Sequence, residues 1–478
     1  MKNSTARLGT DSIIKLVFRL TLPAVAAQLI TFLYNSVDRV YVAKIENAGM
    51  DALAAIGVVL PVTLIMQAFA NLVGMGGSPR ASMRLGEGNE SEANGIFNTS
   101  ALLLCTLSVI LGGVCFLFAR QIVTAFGCPP SALPYATEYI KIYALGTPFV
   151  LAAQGLNPFI TAQGFSFAAM ISVLFGALLN VALDPLFIFV FGMGVRGASL
   201  ATVLSQAASC VWILSFFFSK KSGLSFCVSQ MKFDKTRLKG ILSLGVSPFV
   251  MTITECAIQI VFNVNLNRAT GGNGDYTAAL TVMLSALQLI SLPLNGMGYG
   301  MQPFVSYNYG KGDAKRLKEG VRAVTVEAFV FAVSVWGVSL AAPGLYAKVF
   351  SASPAVADIV VRYTPLFLMG SVMFFVQMTL QNINVALGQA KSALALAVLR
   401  KVIILIPLCF VLTHFLGAKG VYLSEGVADL IAGTITSVTF LITFPRVYRA
   451  CAVKSAADNS GEERFSAGKT PDKENKIR

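Results

Sequence analysis

Charge is scarce in this 478-residue chain: 13% of its residues are Asp, Glu, Lys or Arg, and it holds one histidine, His414. A water-soluble fold carries about a quarter of its residues as charges, so a soluble globular protein is excluded. A single histidine cannot form an HExxH zinc pair, and the chain has no GxxxxGK[ST] phosphate loop. Zinc hydrolysis and ATP-driven work are therefore not expected, and without an Asp-rich diphosphate motif neither is an intramembrane enzyme. The eight cysteines lie mostly inside apolar segments (Cys105, Cys115, Cys210, Cys256 and Cys409), with no metal or disulfide spacing. Lys15 and Arg19 interrupt the first apolar run, so the N-terminus reads as a retained span rather than a signal peptide.

Apolar sequence fills the rest. Hydrophobic residues make up 55% of the chain and mean hydropathy is +0.70. The segments resolve into twelve spans, each reaching the roughly 20 residues that a 30 Å hydrocarbon core requires. The net charge of +14 follows topology and implies no nucleic-acid partner. With the N-terminus inside, 26 Lys and Arg residues fall on the cytoplasmic side and 8 on the other. The positive-inside rule then places both termini in the cytoplasm of a multi-pass plasma-membrane protein.

Punctuating residues recur at one offset. Pro79 and Pro303, Gly86 and Gly310, Gly88 and Gly312, Gly146 and Gly370, and Gly164 and Gly388 are all 224 apart; Pro23 and Pro248 are 225 apart. Gly194-Val195-Arg196-Gly197 answers Gly417-Ala418-Lys419-Gly420 at 223. This is a repeat of six helices. Six is even, so both copies share one orientation about an axis along the membrane normal, with a cavity between them. The expected fold is all-α: an N-lobe over 1–218, a cytoplasmic linker over 219–239, a C-lobe over 240–450 and a disordered tail over 451–478.

Ionisable groups in hydrocarbon are the functional candidates, because a charge at mid-membrane costs about 2.5–3.5 kcal/mol on insertion scales. Asp184 is the strongest. Asn180 lies one turn before it on the same face, Pro185 frees the carbonyl of Val181 beside it, and Thr202 follows on the next span. These oxygens suit a proton or a small cation such as Na⁺. Asp38, with Tyr34 and Asn35 on its face, lies at a compatible depth, and Pro23 is expected to kink the same span. The fourth span adds Gln154, Asn157 and Thr161 at helical spacing. In the second half, Thr252, Glu255, Gln259 and Asn263 form one stripe, Gln288 to Gln302 another through Tyr299, and Gln377, Gln381 and Asn384 a third. Such amides serve either a wet cavity or interhelical packing. Asp429 on the last span is a further candidate.

Three stretches then carry a likeness: LPAVAAQLITFLYNSVDR in the first span, PRASMRLGEGNESEA after the second, and the run from Asn180 to Thr202 containing LDPLFIFVFGMGVRGASLAT. Over residues 10–450 the chain resembles the multidrug and toxic compound extrusion (MATE) family, most closely its MepA-like bacterial branch. The resemblance implies two six-helix lobes around a central cleft and export in exchange for Na⁺ or H⁺; organic cations as cargo, a monomer and no other cofactor are the accompanying expectations. It carries the N-lobe cation site onto Asp38, Asn180, Asp184, Thr202 and the carbonyl of Ala198, with Asn157 nearby. Glu255, Gln259, Tyr299 and Gln381, three of them read only from their helical stripes, are the candidate C-lobe and substrate-facing group. Glu255 matches the seventh-helix acid of relatives that pair it with an acid on the tenth helix, and the tenth span here has none. The alternative, a lipid-linked precursor flippase, requires a cationic cavity for diphosphate; a passive channel would conduct without exchange.

Overall fold

Backbone N–H and C=O groups find no water partner in hydrocarbon, so each span must satisfy its own as a helix. The computed structural model describes residues 3–45, 49–350 and 353–467, and no strand occurs among them. The long helices are α1 Ile13–Ala43, α2 Gly49–Gly86, α3 Glu90–Leu117, α4 Leu133–Ala162, α5 Ser166–Pro185, α6 Val195–Phe218, α7 Lys235–Thr270, α8 Gly274–Lys311 and α9 Ala314–Ala341. The tenth span is broken into Pro354–Phe367 and Ser371–Ala386, bent by 52°, and is called α10. Ala390–Leu416 forms α11 and Ala418–Ala467 forms α12. Ten of these helices are apolar enough to cross a bilayer singly, and the bent α10 makes an eleventh. The twelfth, α4, has the length at 30 residues, but Gln154, Asn157, Pro148 and Pro158 dilute its hydropathy. It is shielded by packing on α2, α3 and α6.

The repeat is visible in the contacts. A side chain at Gly86 would collide with the Tyr307 carbonyl, and one at Gly310 with the Met83 carbonyl; the offset of 224 maps one clash onto the other. The pseudo-twofold axis therefore passes between α2 and α8, whose backbones touch. Three glycine pairs keep left-handed φ in both copies: Gly88 at 74° and Gly312 at 80°, Gly164 at 84° and Gly388 at 74°, Gly194 at 56° and Gly417 at 58°. A Cβ is disfavoured there, which is why both copies use glycine at these turns.

Each lobe has its own apolar core, but the first turns of α1 and α7 are exchanged. Leu16, Val17 and Leu20 of α1 belong to the core of the second lobe. Ile241 of α7 belongs to that of the first. The lobes thus meet along α1–α8, α2–α7 and α2–α8. The contacts cluster at the side carrying the N-terminus and the 219–239 linker: Ser82 donates to the Pro303 carbonyl at 3.1 Å, and Asn308 to the Leu8 carbonyl at 3.1 Å. Arg237 pairs with Glu92 and Lys454 with Glu87 on the same side. These ion pairs are solvent-accessible, and each contributes about 0–1 kcal/mol. Lys454 and Arg84 nonetheless overcome the effect of partial burial and hold the Glu87 carboxyl below its ordinary range.

The tail differs from expectation. Residues from 451 continue α12 as helix to Ala467, since extending a formed helix avoids the nucleation penalty and no proline intervenes before residue 471. Residues 468–478 lie outside the described part.

Backbone contact at the seal gives a first prediction. Gly310→Val would force α8 away from Met83; overpacking of this kind costs about 1–3 kcal/mol, a shift of roughly five- to 150-fold against the sealed arrangement. Spin labels on the linker-side ends of α2 and α8 should report longer distances in the variant.

Candidate functional site

An N-lobe cavity of about 230 Å³ lies among α1, α2, α4, α5 and α6, closed on one side by Tyr299, Gln302 and Pro303 of α8. Its wall carries Gln28, Thr31 and Tyr34 from α1, Asn71 from α2, and Gln154, Asn157 and Thr161 from α4. None of the residues lining it is charged. Asn180 and Thr202 also reach this wall, and next to them the carboxylates gather.

Asp184 is fully buried. Its Oδ1 accepts from Asn180 Nδ2 at 3.3 Å, as residues four apart on one helix face can. The Asp38 carboxyl lies against that of Asp184. A π-helical turn, Leu186–Val190, follows immediately after Pro185, so the helix is irregular right beside the carboxylate, as functional π-turns often are. Three oxygens here meet no donor: Asp38 Oδ1, Asn180 Oδ1 and Asp184 Oδ2. Two carboxylates held together away from water repel strongly. A proton or a cation between them removes that repulsion and satisfies the orphan oxygens. The donors are all oxygen, which suits hard ions, and no group of three or more His, Cys, Asp or Glu arranged to hold a metal ion occurs among the described residues.

The other expected members fall differently. Thr202 Oγ1 donates to the Ala198 carbonyl at 3.0 Å, so that carbonyl already has one partner. Asn157 lines the cavity but directs its Nδ2 to Ser172 Oγ at 2.6 Å and the Ala169 carbonyl at 3.0 Å, where it ties α4 to α5. Tyr139 of α4 joins the group unforeseen: its phenol meets Thr202 and lies within the field of both carboxylates. A tyrosine in an apolar stretch gives no sequence signal. α1 passes through Pro23 without a break, and Pro23 itself lines the cavity.

In the second lobe Tyr299 faces the N-lobe cavity, Gln259 is exposed, and Gln381 is buried with its amide on the Ala393 carbonyl at 3.3 Å and Met251 Sδ at 3.1 Å. Gln377 donates to the Asp429 carbonyl at 2.7 Å. These two glutamines hold α10 in place rather than line a wet surface. Glu255 pairs with Lys401, and Arg400 with Asp429 at 2.7 Å and Glu425 at 3.2 Å. The partner of Glu255 is thus a base on α11, where relatives have an acid on the tenth helix. Glu425 escaped the sequence reading, and Arg400 and Lys401 sat unassigned inside an apolar span.

The MatE family model matches the chain twice, over residues 23–186 and 249–411. The chain belongs to the MatE family. The two MatE matches begin at Pro23 and just after Pro248, the paired prolines of the repeat. The multidrug export protein MepA of Staphylococcus haemolyticus (strain JCSC1435) is 29% identical over 427 residues, 88% of this chain and 92% of that protein. MepA of Staphylococcus aureus (strain MRSA252) is 28% identical, covering 87% and 91%. Among solved structures, that of MATE in complex with MaD3S superimposes with a TM-score of 0.87 at 21% identity, over 94% of this chain and 99% of the other. Membership of the MatE family makes the chain a multi-pass membrane transporter, not an enzyme.

Proposed function

We propose that this protein is a multidrug efflux transporter of the plasma membrane that exports organic cations in exchange for Na⁺ or H⁺. The observation that carries the reading is the pair Asp38 and Asp184, with orphan oxygens, beside a neutral cavity walled by amides, hydroxyls and apolar side chains. Both termini lie in the cytoplasm, so the sealed side is cytoplasmic and the cleft opens outward. One chain contains both lobes and acts as a monomer.

The mechanism follows from α1. Its first turns are embedded in the core of the second lobe, while Asp38, further along, sits with Asp184 in the first. A cation or proton arriving from outside neutralises the carboxylates and changes the preferred packing of α1 on α5. Pro23, between the two anchored halves, lacks an N–H and is the natural place for the helix to yield. Movement there loosens the α1–α8 seam, the cleft re-opens inward, and the ion leaves down its gradient. Coupling needs the ion and the drug to favour different states. A flippase for diphosphate-linked lipids is disfavoured, because no Lys or Arg lines the cavity.

Purified protein in liposomes, given either a Na⁺ gradient or a pH gradient, should drive uptake or release of ethidium with only one of them. Movement of ethidium that ignores both gradients would refute the exchange reading.

A further inference from the structure

Resting on the export reading, we propose that Lys401 is a built-in cation that occupies the cargo's counter-ion, Glu255, and is displaced by an organic cation during binding. Thr252, one turn before Glu255 on α7, accepts a hydrogen bond from Asn71 of the opposite lobe at 3.3 Å. Glu255 therefore emerges on the lobe-facing side of α7, where that contact ends. Its side chain is 55% exposed, against 4% for Lys401. The carboxylate is the accessible half of the pair and the ammonium the hidden half.

Lys401 reaches that position because α11 turns π-helical over Leu399–Leu405. Neighbouring Arg400 turns instead to α12, where it is fixed by Asp429 and Glu425 and lies 4.9 Å over the Phe374 ring. Lys401 is held by one carboxylate, Glu255, and by the Met251 carbonyl at 3.2 Å, where Arg400 has two carboxylates. A lysine head on a flexible stem can change partners, whereas the forked, doubly paired Arg400 cannot.

A second home for the ammonium exists. Glu425 Oε2 and Asp429 Oδ2 are buried without a donor, and Glu425 is close enough to Lys401 to feel its charge. Three carboxyl groups here share two side-chain cations, so the group holds one acid more than it has bases. When an organic cation takes Glu255, Lys401 swings towards Glu425 and Asp429, whose donor-less oxygens accept it. Neutral or anionic compounds cannot displace the ammonium, which makes Lys401 a selector for positive charge. A delocalised or quaternary cation is favoured, since it needs no hydrogen bonds from the open wall.

The test is ethidium binding to the full purified chain, read by fluorescence anisotropy, beside gradient-driven transport in liposomes. Lys401→Gln removes the competitor and should tighten Kd about tenfold. Lys401→Arg, whose fork grips Glu255 better, should weaken Kd by several fold and serves if the glutamine variant fails to fold. With Glu255→Gln present, adding Lys401→Gln should change Kd by less than twofold. A Kd that ignores residue 401, or the same tightening without Glu255, overturns the proposal. Wild-type protein that binds ethidium but cannot move it on any gradient would instead refute the export reading.

Discussion

Asp184→Asn is expected to abolish ion-driven accumulation while leaving the fold and drug binding in place. Asparagine keeps the shape and the contact with Asn180 but cannot carry the charge that an ion or proton must neutralise. One-for-one exchange of a monovalent ion for a monovalent organic cation moves no net charge, so a tenfold ion gradient, about 1.4 kcal/mol, sustains a concentration ratio of roughly 10 for the exchanged drug. In liposomes with an imposed gradient, that ratio should collapse towards one in the variant. Asp38→Asn should do the same, because the two carboxyls form one unit. Accumulation that persisted at the wild-type level in either variant would mean that the coupling ion binds elsewhere.

The largest effect on stability is expected at Arg400. It lies buried between Asp429 and Glu425, and Arg400→Met would strand both carboxylates, because Lys401 stays on Glu255 while no organic cation is bound. Breaking a buried pair from one side costs about 3–5 kcal/mol, because a desolvated charge is left uncompensated. The thermal midpoint of the purified protein should drop by many degrees. Adding Asp429→Asn and Glu425→Gln to Arg400→Met should recover most of the loss, since the stranded charges are gone. If the triple variant were as unstable as the single one, the packing of Arg400 over Phe374, rather than its charge, would be what matters.

The repeat was legible because a turn needing left-handed φ admits little but glycine, so the same residue stands at both copies of each turn, as at Gly194 and Gly417. Asp184 with Asn180 was equally legible, because four residues apart on a helix means one face. The fourth span passed as another apolar segment, although α4 crosses largely on the shelter of its neighbours.

Local spacing could not say which helices would meet. Tyr139 joins the carboxylates only because α4 packs on α6, and Glu255 finds a base on α11 rather than an acid on α10. Arg400 and Lys401 are consecutive, yet a π-turn and two different neighbours send one to α12 and the other to α7.

By itself, then, the chain's order of residues determined the number of spans, their pairing into two copies and the depth at which acids are sunk, since each depends on hydropathy and helical period alone. Only the folded structure decided which oxygens lack a donor, that α1 is rooted in one lobe while serving the other, and that Glu255 is already occupied by Lys401. Such contacts join segments as much as 367 residues apart, as Lys454 with Glu87, and helical periodicity carries no information across such a gap.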